Sequence, residues 1–134
     1  MRRLPSLAVD IIIFFENKLI LIKRGREPFK DSFAIPGGFV EYGETVENAA
    51  IRESKEETGL DITKLTLLGV YSKPDRDPRG HTVSIVFHGI GSGTPKAGDD
   101  AKELGLFDLN QIPKNLAFDH NKILQDFILV YKEG

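Results

Sequence analysis

The sequence predicts an α/β fold in which a mixed sheet lies between helices, built as one domain spanning residues 1–134. Three observations point to it. Strand-like segments stand both before and after a central stretch of helical character, and an amphipathic helix closes the chain. The 134 residues, 40% hydrophobic and 28% charged, suit one globular domain able to bury a core and leave no room for a second.

Each element has its own signal. Residues 7–15, with Val9, Ile11, Ile12, Ile13, Phe14 and Phe15, read as a buried strand. Glu16 and Asn17 turn the chain into a second strand, 18–23, making a hairpin. A polar loop at 25–32 precedes a short strand at 33–36 and a further extended piece at 39–41. The central helix covers 45–58, with Thr45 or Glu44 available as its cap and Gly59 as a left-handed stop. Val46, Ala49 and Ala50 form a small-residue face that suits close packing on a sheet, with the glutamates on the other side. Strands at 62–72 and 82–91 follow, separated by a loop at 73–80 that holds two prolines and dense charge. A Gly, Pro and Lys loop at 92–100 leads to a last strand at 103–108. The helix at 119–132 carries Ile123, Leu124, Phe127, Ile128 and Tyr131 on its apolar side. The chain contains no repeats, linkers or low-complexity segments.

Composition excludes several functional classes. A net charge of −2 argues against a nucleic-acid binder, whose footprint is a basic surface. No cysteine is present, so disulfide and thiol chemistry are excluded. Met1, Arg2 and Arg3 are followed by Leu4, Pro5 and Ser6 rather than by a long apolar stretch with a cleavage site, and no run is long enough to span a bilayer. The expected location is the cytoplasm, with no membrane partner.

The chemistry is concentrated between Gly38 and Leu60. On a helix over 45–58, Glu53, Glu56 and Glu57 stand at i, i+3 and i+4, and their side chains converge. Three anions so placed repel one another, which makes most sense around a hard, oxygen-seeking divalent cation. Upstream, Gly37 and Gly38 let the backbone approach a ligand closely or adopt a positive φ, and Pro36 stiffens the entry. The helix N-terminus offers free N–H groups and a positive dipole end to a phosphate. Arg52, one turn from Glu56, is expected to pair with a carboxylate and hold it in place.

The spacing Gly38, five residues, Glu44, seven residues, Arg52-Glu53-x-x-Glu56-Glu57-x-Gly59-Leu60 resembles the signature box of the Nudix hydrolases, enzymes that cleave nucleoside diphosphates linked to another moiety. One position departs: Ser54 stands where the family usually has an apolar residue, and a serine there can bond back to the Ala50 carbonyl. The resemblance covers nearly the whole chain and implies a Nudix-type α/β/α sandwich. It also implies a reaction, attack of water on one phosphorus of a pyrophosphate. Catalytic residues are then Arg52, Glu53, Glu56, Glu57 and Glu103. Mg²⁺, with Mn²⁺ as a substitute, is held by Glu53, Glu56, Glu57, the Gly38 carbonyl and Glu103, and Glu44 supports the ligands. Glu103 enters because family members commonly draw a further carboxylate from a later loop, here Asp99, Asp100 and Glu103; its alternative reading is an exposed strand-edge acid.

Segments 27–29, 34–41, 75–81 and 118–120 resemble the ADP-ribose pyrophosphatase branch, which tends to carry a proline about fifteen positions past the box, where Pro74 lies fourteen past Leu60. The implied substrate is ADP-ribose, cut to AMP and ribose 5-phosphate. Arg24, Arg76 and Arg79 are candidates for holding phosphates, Phe39 or Tyr71 for stacking on adenine, and Asp119 for a further substrate contact. His81 and His120 are expected to serve as hydrogen-bonding groups and His88 as a strand residue. Family members are often dimers, so a homodimer is a possible partner arrangement. Two rival readings are a nucleoside triphosphate pyrophosphohydrolase, which would release pyrophosphate, and a Nudix-like module that binds nucleotides without cleaving them.

Overall fold

In the structure, a computed structural model, residues 3–98 and 101–133 are described, with side chains at all of them but 102, 132 and 133. The first apolar run forms β1 (Ser6–Phe15), joined to β2 (Lys18–Arg24) through Glu16 and Asn17. Both turn residues have positive φ, 51° and 66°, the geometry whose twist matches a tight hairpin. Next come β3 (Phe33–Ala34), β4 (Gly37–Phe39), α1 (Val46–Thr58), β5 (Asp61–Tyr71), β6 (Thr82–Ser92), β7 (Ala101–Phe107) and α2 (His120–Glu133). A short 3-10 turn at Leu109–Gln111 was not expected from sequence.

The seven strands among the described residues join one sheet with the core order β3-β2-β1-β6-β5, β4 pairing β1 and β7 pairing β2. Its mixed character comes from β1 and β6, which run parallel from Ser6↔Thr82 to Phe14↔Ile90, while the other pairs are antiparallel. β1 and β2 pair only near their turn, at 13–15 against 18–20. Beyond that they diverge, and the segment from β3 to β4 fills the gap, β3 on β2 and β4 on β1. Residues 39–41 are therefore not a strand of their own. Extended pairing runs instead through the two glycines, in register Val9↔Gly38 and Asp10↔Gly37. Neither glycine has positive φ, so what the sequence needed there was space. A Cβ on Gly37 would lie 2.2 Å from the Val9 carbonyl oxygen.

Alternation along the strands builds two cores, one on each face. Val9, Ile11, Ile13, Ile20 and Phe87 pack with Ala49, Ala50 and Leu60 beneath α1. On the opposite face Ile12, Leu19, Leu21 and Val86 pack with Ile123, Leu124 and Phe127 of α2. The expected sandwich is thus present, with α1 on one side and α2 on the other. Among the described residues no helix is long and apolar enough to cross a membrane.

α1 follows its local signals closely. Thr45 caps it by accepting from the Asn48 N–H at 3.1 Å, and Gly59 ends it at φ 76°, its N–H donating to the Lys55 carbonyl. Ser54 is fully buried and donates to the Ala50 carbonyl at 2.7 Å, which explains how a hydroxyl is tolerated where an apolar residue is usual. One expectation fails: the glutamates do not all face away from the core. Glu53 is buried, because β4 folds over this flank of the helix and covers it.

Candidate active site

Arg52 organises the carboxylates. Its Nε and Nη2 donate to both oxygens of Glu44, at 2.7 and 2.9 Å, while Nη1 donates to Glu53 at 2.8 Å and Glu56 at 3.1 Å. A further bond from Nη2 to the Phe39 carbonyl, at 3.1 Å, ties the helix to the end of β4. The bidentate Arg52 pair, with help from the Glu41 N–H, holds the Glu44 carboxyl down at about 2. Reciprocally, these partners raise the Arg52 guanidinium above its already high value. In place of one expected carboxylate partner, Arg52 has three within hydrogen-bond reach, with Glu44 the strongest.

Glu53 and Glu57 occupy a different environment. Burial pushes the Glu53 carboxyl up despite its bond to Arg52. Burial, then the neighbouring charge of Glu53, pushes Glu57 up to about 7, against the pull of Arg24. The Oε2 atom of Glu57 is buried and has no hydrogen-bond partner. Gly38 faces Glu53 so closely that a Cβ there would lie 2.5 Å from the carboxyl carbon and both its oxygens. Backbone and carboxylates are thus pressed together as an all-oxygen donor set, which suits a hard divalent cation. Among the described residues no three acidic or histidine side chains form a closed cage. The Arg52 guanidinium lies between Glu53 and Glu56 and bonds both.

Glu53 and Glu57 open into a cleft of about 270 Å³. Of the residues singled out in sequence, Arg24, Gly38, Phe39, Arg76 and Arg79 also line it. Arg24 lies over the Phe118 ring, 5.0 Å from its centroid, with Nε donating to the Pro28 carbonyl at 2.7 Å. Arg79 reaches between two rings, 5.4 Å from Phe39 and 5.7 Å from Phe118. It is steered there by Asp77, a nearly buried carboxylate that accepts from the Arg79 backbone N–H and from its Nε and Nη2. Arg76 reaches the cleft wall but gives Nε and Nη2 to Asp119, at 2.9 and 2.7 Å. The loop expected at 73–80 is therefore anchored by two ion pairs, each with one buried partner, Arg76 in the first and Asp77 in the second.

Other candidates stand apart. Glu56 is on the exposed side of the helix, its side chain 57% accessible. Asp119 lies in an adjoining groove with Tyr71, whose hydroxyl donates to Asp126 at 2.7 Å. Glu103 pairs with Lys23 across β7 and β2, 3.7 Å apart, and does not line the cleft. Asp99 and Asp100 lie outside the described residues. His81 donates from Nε2 to the Ser72 carbonyl, 2.9 Å away, and His88 lies on β6 beside Phe127.

His120, expected from sequence as a hydrogen-bonding group, accepts from the Ile35 N–H at 3.0 Å. What sequence reasoning missed is its company: Asp10, Ser84 and His120 form a buried polar group at the cleft, Ser84 donating to Asp10 through a short hydrogen bond. Asp10 interrupts an apolar strand, a signal that was available; Ser84 carried none. Phe118 was also unremarked as a cleft wall, although its φ of 53° departs from what a bulky residue prefers.

Comparison with known proteins agrees with this architecture. A family model of the NUDIX domain matches residues 4–127. An ADP-ribose pyrophosphatase of Methanocaldococcus jannaschii is 62% identical over 125 residues, 92% of this chain and 73% of that protein. A MutT/nudix family protein of Enterococcus faecalis superposes with a TM-score of 0.85 at 36% identity, over 98% of this chain and 64% of the other. A bifunctional NMN adenylyltransferase/ADP ribose pyrophosphatase of Francisella tularensis, solved with AMP and a manganese ion, gives 0.79 at 28% identity, covering 99% of this chain and 43% of the other. With residues 4–127 matched and Glu53 and Glu57 facing a cleft beside Gly38, the chain belongs to the Nudix family.

Proposed function

We propose that the protein hydrolyses the pyrophosphate bond of a nucleoside diphosphate linked to a second moiety, with ADP-ribose as substrate and AMP and ribose 5-phosphate as products. The observation that carries this reading is the partnerless buried oxygen of Glu57 beside Glu53 and Gly38, at the floor of a cleft whose walls hold Arg24 and Arg79. The names of the Methanocaldococcus and Francisella relatives support the substrate.

Glu53, Glu57 and the Gly38 carbonyl would hold a divalent cation, Mg²⁺ or Mn²⁺, with Glu56 adding charge from the rim. Once bound, the cation supplies neutralisation of phosphate oxygens and acidification of water. This chain's own residues supply the rest. Arg52 orients the carboxylates by fixing Glu44, Glu53 and the Phe39 carbonyl in one network. Arg24 and Arg79 compensate the substrate's phosphate charge, and Phe39 and Phe118 offer ring faces to its planar parts. Water forms a new P–O bond and the bridging P–O bond breaks, so each product carries one phosphate.

The test is ³¹P NMR of the products after incubation with Mg²⁺ and equal amounts of ADP-ribose and deoxynucleoside triphosphates. AMP and ribose 5-phosphate with intact triphosphates are expected. Pyrophosphate as the first product would replace this reading with triphosphate hydrolysis, and ADP-ribose bound but uncut would replace it with sensing.

A further inference from the structure

Gly38 lies against Glu53 at the end of a short crossing segment, and groups from the α2 side of the sheet bond that segment. Between β3 and β4 the chain crosses from one strand to the next through Ile35 and Pro36. Pro36 has no N–H to give. Its carbonyl accepts from the Ile11 N–H at 2.8 Å, which leaves the Ile35 N–H as the donor this crossing offers. That N–H donates at 3.0 Å to Nδ1 of His120, the first residue of α2. His120 is 3% exposed and lines the cleft beside the Phe118 ring.

The bond determines the state of the ring. Nδ1 accepts, so the neutral imidazole carries its proton on Nε2, which faces Oδ1 of Asp10 at 3.8 Å. Asp10 is in turn held by Ser84 and stands opposite Gly37 in the ladder, where a Cβ on Gly37 would meet its carboxylate. His120 and Asp10 thus grip Ile35 and Gly37, the residues on either side of Pro36. A purely apolar core would need neither group, and burying both is costly unless their geometry is used.

We propose that His120 is a positioning residue for catalysis: by accepting from the Ile35 N–H it sets the place of Gly38 over Glu53, linking the docking of α2 on one face to the carboxylates of α1 on the other. The proposal rests on the hydrolytic function proposed above. Partners of this kind are typically worth 10- to 100-fold in activity or metal affinity, about the scale expected here.

Three substitutions in the full chain test it. In His120→Asn the amide oxygen stands where Nδ1 was and accepts the same bond. His120→Gln carries its polar atoms one bond farther, near Nε2, and His120→Leu carries none. Leu and Gln should each lower kcat for ADP-ribose by roughly 10- to 100-fold, leaving KM within about twofold. Asn should restore most of the rate. Amide hydrogen exchange gives a readout independent of turnover: exchange at Ile35 and along β4 should quicken by about tenfold or more in Leu and Gln but stay near wild type in Asn. If Leu fails to fold, the contrast between Asn and Gln decides. Equal rates and equal exchange in Asn and Gln would overturn the proposal, as would a rise in KM without a fall in kcat. A wild-type protein inert toward ADP-ribose would instead sink the functional reading, and the exchange pattern would still decide the role of His120.

Discussion

Glu57 carries the sharpest residue-scale conflict in the molecule. It is half-buried beside Glu53, burial pushes its carboxyl up to about 7, and its buried Oε2 has no hydrogen-bond partner. Folding alone gains nothing from that arrangement. Glu57→Gln is accordingly expected to cut ADP-ribose turnover by roughly 10- to 100-fold while leaving thermal stability unchanged or raised, since a neutral amide ends the repulsion from Glu53. A melting temperature that falls together with activity would show that the carboxylate is structural. Gly38 is the backbone counterpart. In Gly38→Ala the new methyl must displace the Glu53 carboxyl, and a stability loss of about 1–3 kcal/mol in urea melts is expected, accompanied by lost activity. Wild-type stability would mean that β4 yields easily at this point. Much of this was legible in the chain, because i, i+3 and i+4 spacing on a helix fixes which side chains are neighbours. Burial of Glu53 was not, because it depends on β4 lying over the helix.

At the scale of elements, α1 is a helix whose local and tertiary signals agree. Thr45 caps it, Gly59 stops it, and Ala49 and Ala50 let it lie against the sheet with no exposed area. Thr45→Ala should cost about 1 kcal/mol in a urea titration with KM unchanged, since the cap bonds only the Asn48 N–H. Ala50→Leu should cost more, about 1–3 kcal/mol, because the interface with Val9, Ile11 and Ile20 has no space for a branched side chain. Equal costs for the two would mean that the close packing contributes little. The β3–β4 segment behaves in the opposite way. The sequence reads as a short strand at 33–36 and a further extended piece at 39–41. Pairing instead takes up 33–34 and 37–39, because β1 and β2 diverge and leave two edges for this segment to satisfy.

For the whole molecule, pH couples the two faces of the sheet. Burial holds the His120 imidazole well below its ordinary value, outweighing the opposing pull of Asp10 and Asp119. The unfolded chain takes up that proton near pH 6.5 and the folded chain does so only at lower pH, so stability falls as pH drops below about 6.5. Burial lowers His88 too and adds to the same trend. Glu53 and Glu57, both raised, act with the opposite sign, favouring the folded state as pH falls. Comparing His120→Asn with wild type isolates the histidine. Its urea midpoint should change less between about pH 7 and pH 5.5 than that of wild type. Parallel pH profiles for the two proteins would refute this linkage.

What the sequence determined by itself was local in range. Hydrophobic period placed the long strands and the closing helix, cap residues bounded the central helix, and helical spacing gathered Arg52, Glu53, Glu56 and Glu57, because each of these depends on residues within one or two turns of chain. Tertiary structure alone decided that Arg52 would bond Glu44 most strongly, that Arg76 would be taken up by Asp119, and that Glu103 would pair with Lys23 away from the cleft. It also brought Asp10, Ser84 and His120 together from three distant segments beneath Gly37. The physical reason is that these contacts arise from strand register and from which face of the sheet each helix covers, choices made by burying the whole core at once and invisible to any short window of residues.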